Sequence, residues 1–224
     1  MKERRAELLT LGMGRLFVKL AVPGILGTLI IGLYNLVDSI FVGQFVGKAG
    51  VGAVGLVYSM VLMNQAFSTL IGVGSMSLLS RAIGEENDTV VHRILGNLVL
   101  WTFIPSAALS AVSFLFARPI VAFFGGSGDI LDLGERYLRI MAIGFVLASV
   151  GPAMNMLLRG EGRMKEAMMI AGSGMILNII LDPIFIHVLG WGISGAAFAT
   201  VLSQGIYLVA NIAYFQLGRS VIRF

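Results

Sequence analysis

The chain has 224 residues, of which 57% are hydrophobic and only 12% charged, with 29 glycines, 12 methionines and no cysteine. A mean hydropathy of +0.91 leaves too little polar surface to cover a water-soluble globule, so the composition is that of a polytopic membrane protein. The missing cysteines exclude disulfide and thiol chemistry, and the net charge of +4 is spread over several short segments, which excludes a nucleic-acid surface.

A spanning helix needs roughly 20 mostly apolar residues. Six stretches qualify, at about 16–45, 51–80, 94–116, 130–158, 168–189 and 194–217. The basic and then apolar N-terminus, MKERRAELLTLGMGR, has no evident small-residue cleavage site and reads as the approach to an uncleaved first span. The first span contains Pro23, a candidate kink, and ends in YNLVDSIFVG, where Asn35 lies three residues before Asp38. A tight joint, GKAGVG, leads into the second span, and GEENDTVVHR separates the second from the third. Trp101 and Trp191 read as interface anchors. ARPIVAFFGGSGD is expected as a loop before the fourth span, which carries a second candidate kink at Pro152. RGEGRMKEA precedes the fifth span, and GWGISG joins the fifth to the sixth. The expectation is an all-α integral membrane protein, a six-helix transmembrane bundle forming one lobe.

Lys and Arg set the orientation. With both termini cytoplasmic, twelve basic residues fall inside and four (Lys48, Arg118, Arg136 and Arg139) outside. These basic residues serve topology and contact with acidic membrane lipid.

Ten of the twelve acidic residues are expected in loops or tails, and only Asp38 and Asp182 inside a span. An acid at the centre of a spanning helix costs about 2.5–3.5 kcal/mol on insertion scales, so each needs an interior partner or a wet cavity. In LNIILDPIFI, Asn178 stands four residues before Asp182, which puts amide and carboxylate on one helix face. Each helix thus presents a carboxylate with an amide, a set that holds a hard cation or shares a proton. Pro183 removes an amide donor and frees a carbonyl that a cation or water can use. The alternative role for either aspartate is a buried hydrogen-bonding strut. DSIFV at 38–42 and DPIFI at 182–186 match in pattern, and each is followed by a glycine-rich joint and a new helix, so spans 1–2 and 5–6 read as similar hairpins. No GxSxG, HExxH, Walker-A loop or His/Cys cluster suggests an enzyme.

NLVDSIFVG, GVGSMSLLSRAIGEEN and above all ILNIILDPIFIHVLGWGISGAAFATVLSQ resemble the N-terminal lobe of the multidrug and toxic compound extrusion (MATE) transporters. That resemblance implies a cation-coupled antiporter of the plasma (inner) membrane, exporting small organic, often cationic compounds against Na+ or H+, with no further cofactor. It places a cation site at Asp38, Asn178, Asp182 and Thr200, with Tyr137 and Asn155 as polar neighbours. Members carry two six-helix lobes, so a second lobe is implied, as a missing C-terminal half, a split partner or a second copy. Two other readings stay open: a lipid-linked sugar flippase of the wider superfamily, and a non-transporting lobe that associates with a partner membrane protein.

Overall fold

A computed structural model describes residues 36–217, together with positions 12, 14, 21, 22, 25, 29, 32, 220 and 222. Pro23 and Asn35 lie outside the described residues. The described chain is helical throughout: α1 (Leu36–Phe45), α2 (Lys48–Gly84), α3 (Asp88–Leu115), a short α4 (Ala117–Phe123), α5 (Gly128–Gly160), α6 (Met164–Pro183, continued by a π-helical turn Ile184–Val188) and α7 (Ile193–Gln216). Five of these are long and apolar enough to cross a membrane, and the described part of the first span, α1, is apolar but shorter.

Helix α5 is the hub. It packs on α2, α3, α4, α6 and α7, and 61% of its most apolar stretch is buried, against 22–44% for the other four. Two apolar cores sit along it. One joins Val42, Val57, Met60, Leu138, Phe145, Ile186 and Ile193; the other joins Leu79, Leu95, Leu98, Leu157, Leu158 and Phe215. A belt of polar contacts separates them: Asn64 Nδ2 donates to the Phe145 carbonyl (3.0 Å), Ser149 Oγ donates to Asn64 Oδ1 (2.9 Å) and Ser68 Oγ donates to the Ser149 carbonyl (2.7 Å). In hydrocarbon such groups must find partners within the bundle, and these tie α2 to α5.

Several helices outrun their apolar sequence. Helix α3 starts at Asp88, six residues before the expected 94, because the Asn87 side chain accepts from the Val90 amide at 3.2 Å and caps it. The segment expected as a loop after the third span contains α4, which turns Ala117 and Val121 inward and leaves Phe123 86% exposed. Arg118 of α4 pairs at 2.8 Å with both Asp132 and Glu135. These two acids, counted among loops and tails although the expected fourth span begins at about 130, lie in the first turns of α5, where such pairs at the bundle end keep the Arg118 guanidinium above its ordinary pKa, Glu135 first. Trp101 is no interface anchor: it lies midway along α3 and faces outward. Trp191 does lie in the joint between α6 and α7, half exposed and packed against Phe185 and Phe198. Pro152 sits inside an unbroken α5.

Candidate cation-binding site

Three helices deliver the site at one level. Asp38 stands seven residues before the end of α1 at Phe45, Asp182 six before the end of the π-helical turn at Val188, and Thr200 seven after the start of α7 at Ile193. At 1.5 Å per residue all three lie about 10 Å below the same face of the bundle.

Asp182 is completely buried and Asp38 half-buried, and their carboxyl groups are close enough to act directly on each other. Asn178 Nδ2 donates to Asp182 Oδ2 at 2.9 Å while its Oδ1 accepts from the Thr200 amide at 3.1 Å, in the amide orientation that satisfies both ends. The Thr200 hydroxyl is 3.3 Å from the same amide group. Among the described residues, one oxygen on each aspartate, Oδ1, is buried without a partner, and no Lys or Arg pairs with either acid. Ionised carboxylates only accept hydrogen bonds, so two of them meet only around a shared proton or a cation. Two free carboxylate oxygens, an amide oxygen and a hydroxyl make a hard-oxygen set suited to sodium as well. Among the described residues there is no cluster of three or more His, Asp or Glu that could hold a metal ion.

Helix α6 changes form at Pro183. Proline has no N–H for the Ile179 carbonyl, and directly beyond it the helix widens, with the Leu189 amide donating to Ile184 five residues back at 2.9 Å. Gly195 of α7 fits against this wide turn: a Cβ there would stand 2.5 Å from the Phe185 carbonyl oxygen. The residues expected as polar neighbours part company. Tyr137 is buried in the same apolar core as Val42 and Ile186, one turn from Asp38 and Asp182 on their helices. Asn155 does not join the carboxylates through the contacts seen here. Its Nδ2 donates to the Ala167 carbonyl (3.0 Å) and reaches Asn211 Oδ1 (3.5 Å), eleven residues beyond Thr200 on α7. The wide turn and the Gly195 contact have no signature in sequence beyond Pro183 itself.

A family model described as MatE matches residues 23–184, most of the chain and all of the site except Thr200. The chain belongs to the MatE family. Its similarity to a FAD transporter of Shewanella oneidensis is 30% identity over 207 residues, covering 91% of this chain and 45% of that one. A multidrug export protein MepA of Staphylococcus haemolyticus is 24% identical over 204 residues, again covering 91% and 45%. Among solved structures, an outward-facing multidrug resistance MATE family transporter of the MOP superfamily superposes with a TM-score of 0.85 at 29% identity over 92% of this chain and 45% of that chain. A MOP superfamily transporter from Pyrococcus furiosus, whose description suggests a different function from the reversed polarity of its binding pocket, gives 0.87 at 28%. The chain thus spans about half the length of the relatives it matches, as one lobe of a MatE transporter. It is a multi-pass membrane protein.

Proposed function

We propose that this chain is the N-terminal, cation-coupling lobe of an exporter for small organic compounds, and that Asp38, Asp182, Asn178 and Thr200 bind the coupling ion, Na+ or H+. The observation that carries the proposal is the meeting of two aspartates from α1 and α6, each with a buried oxygen that has no hydrogen-bond partner among the described residues. Filling the pair with a cation cancels its charge and draws α1, α6 and α7 together; emptying it lets them part. Cargo that prefers the parted arrangement then opposes the ion, and by linkage the opposition is mutual. One charge moving inward across ~100 mV supplies about 2.3 kcal/mol, enough to bias two conformations without pinning either. The same reading takes both termini as cytoplasmic, following the distribution of basic residues, and the bundle as lying in the plasma membrane, following the resemblance to MATE transporters.

Relatives named as drug exporters and one named as a FAD transporter leave the cargo at the level of an organic solute. A second reading is favoured by the chain's coverage of about 45% of its relatives: the lobe works only beside a partner half.

The test is equilibrium binding of radioactive sodium, and of protons, to the purified chain, together with dye efflux from vesicles that hold this chain alone or with a second lobe. Asp182→Asn and Asp38→Asn should abolish binding and coupled efflux while leaving insertion intact. Binding and efflux equal to wild type in both variants would sink the proposal. Efflux that needs a second lobe would support the second reading, and movement of labelled lipid in place of dye would favour the flippase.

A further inference from the structure

The buried face of α7 changes character at Thr200. Before it stand Ile193, Ala196 and Ala197; from it onward come Ser203, Gln204, Tyr207, Asn211 and Tyr214, at steps of three, one, three, four and three. At 100° per residue, Thr200 and these five fall within about 100° of arc, one continuous polar seam. The seam faces both neighbouring helices. A Cβ at Gly151 of α5 would stand 3.2 Å from the Tyr207 ring, and one at Gly174 of α6 3.2 Å from the Tyr207 Cβ, so the ring is gripped from two sides. Below the ring, Asn211 Nδ2 donates to the Tyr207 carbonyl at 2.8 Å, and Asn155 bridges Asn211 to α6.

Three polar atoms along the seam have no hydrogen-bond partner among the described residues: Ser203 Oγ, Gln204 Oε1 and Asn155 Oδ1. Ser203 is 4% exposed and Asn155 1%. A buried oxygen without a partner is costly, and several in a row are what internal water satisfies. At its far end the seam reaches Tyr214, whose hydroxyl accepts from Arg163 Nη1 at 2.6 Å. Arg163 is held there by Glu161 and Glu166, and Arg159 is close enough to act on Tyr207 electrostatically.

We propose that this seam is a hydrated path that carries protons between the Asp38–Asp182 pair and the opposite end of the lobe, with the Tyr207 ring as its constriction. The proposal rests on the reading of that pair as the coupling site. A proton taken from a carboxyl passes through hydroxyls, amides and water by exchange of hydrogen bonds and is released to solvent at the far mouth, so no other reactant is needed. A bare metal cation is not its cargo: among the described residues no carboxylate lines the seam between Thr200 and Asn211.

Hydroxyl-radical footprinting of the purified chain in nanodiscs reads water beside buried side chains. After correction for intrinsic reactivity and for exposure, which is 8% for Tyr207 against 0% for Phe145 and 1% for Phe215, Tyr207 should be modified far faster than these two phenylalanines in apolar surroundings. The double variant Ser203→Ala with Gln204→Leu should slow Tyr207 modification and vesicle proton flux each by roughly tenfold. If that pair of changes prevents folding, Ser203→Ala alone serves. Tyr207 modified no faster than the two phenylalanines, or proton flux unchanged in the variant, would overturn the path. Asp182→Asn separates the two readings: lost ion binding with Tyr207 still modified supports both, whereas intact binding in Asp182→Asn with Tyr207 modified overturns the coupling site and leaves the hydrated seam.

Discussion

Gly195 rests on the backbone of Phe185, where an added Cβ would lie 2.5 Å from the carbonyl oxygen and 2.9 Å from the Ile186 amide nitrogen. Backbone cannot step aside as a flexible side chain can, so this contact fixes the height of α7, and with it Thr200, against Asp182. Gly195→Ala should force the helices apart and weaken ion binding at the pair about tenfold or more. Gly205→Ala is the control: its Cβ would meet only Leu147, at 3.7 Å, and binding should be unchanged. Titration of both variants for sodium and protons checks the contrast.

Pro183→Ala returns an N–H to the Ile179 carbonyl and allows α6 to continue as an ordinary helix. Losing the extra residue of the wide turn rotates the following residues by about 100° and withdraws Ile186 from its core. The variant should resist unfolding in detergent better than wild type yet bind the ion more weakly, the trade expected where strain serves function. Equal binding would mean that the wide turn is incidental to the site.

If the Asp38–Asp182 pair holds the coupling ion as proposed, protons and sodium should compete for it, because the metal ion binds only carboxylates that have lost their protons. Sodium affinity should therefore fall on acidification, and sodium added to a weakly buffered sample should release protons, read with a pH indicator. Asp38→Asn removes one of the competing carboxyls and should abolish the release. Sodium affinity indifferent to pH would contradict a shared site.

The polar belt between α2 and α5 makes a thermodynamic cycle. Asn64→Leu strips a donor from the Phe145 carbonyl and an acceptor from Ser149, and should destabilise the bundle by about 1–2 kcal/mol. Ser149→Ala should cost less, and the double variant less than the sum, since the two share one hydrogen bond. Denaturation in mixed micelles measures all three.

Much of this was written in the sequence where physics leaves little choice. An acid inside an apolar run is costly, so Asp38 and Asp182 declared themselves, and the four-residue spacing placed Asn178 beside Asp182. Depth and direction were less legible. Asn155 looks equally polar wherever it sits, and only the fold pairs it with Asn211. Trp101 carries the chemistry of an interface residue, yet its place midway along α3 follows from helix ends set by the Asn87 cap. IFIHV reads as plain helix; its widening is matched to Gly195, across the joint. Helix α4 is too short for a periodic signal, and Pro119 in its first turn reads in sequence as a loop residue. Ser203, Gln204, Tyr207 and Asn211 did repeat at helical spacing, but polar residues on a helix acquire meaning only when the neighbouring faces are known.

The common level of Asp38, Asp182 and Thr200, about 10 Å beneath one face, is about a third of a ~30 Å hydrocarbon layer. On the proposed reading, and with that face at the hydrocarbon boundary, an ion entering from it would have crossed only a third of the voltage drop on binding, so about 0.8 kcal/mol per 100 mV would act on loading and about 1.5 kcal/mol on discharge. Hyperpolarising the membrane should hasten unloading far more than it tightens capture.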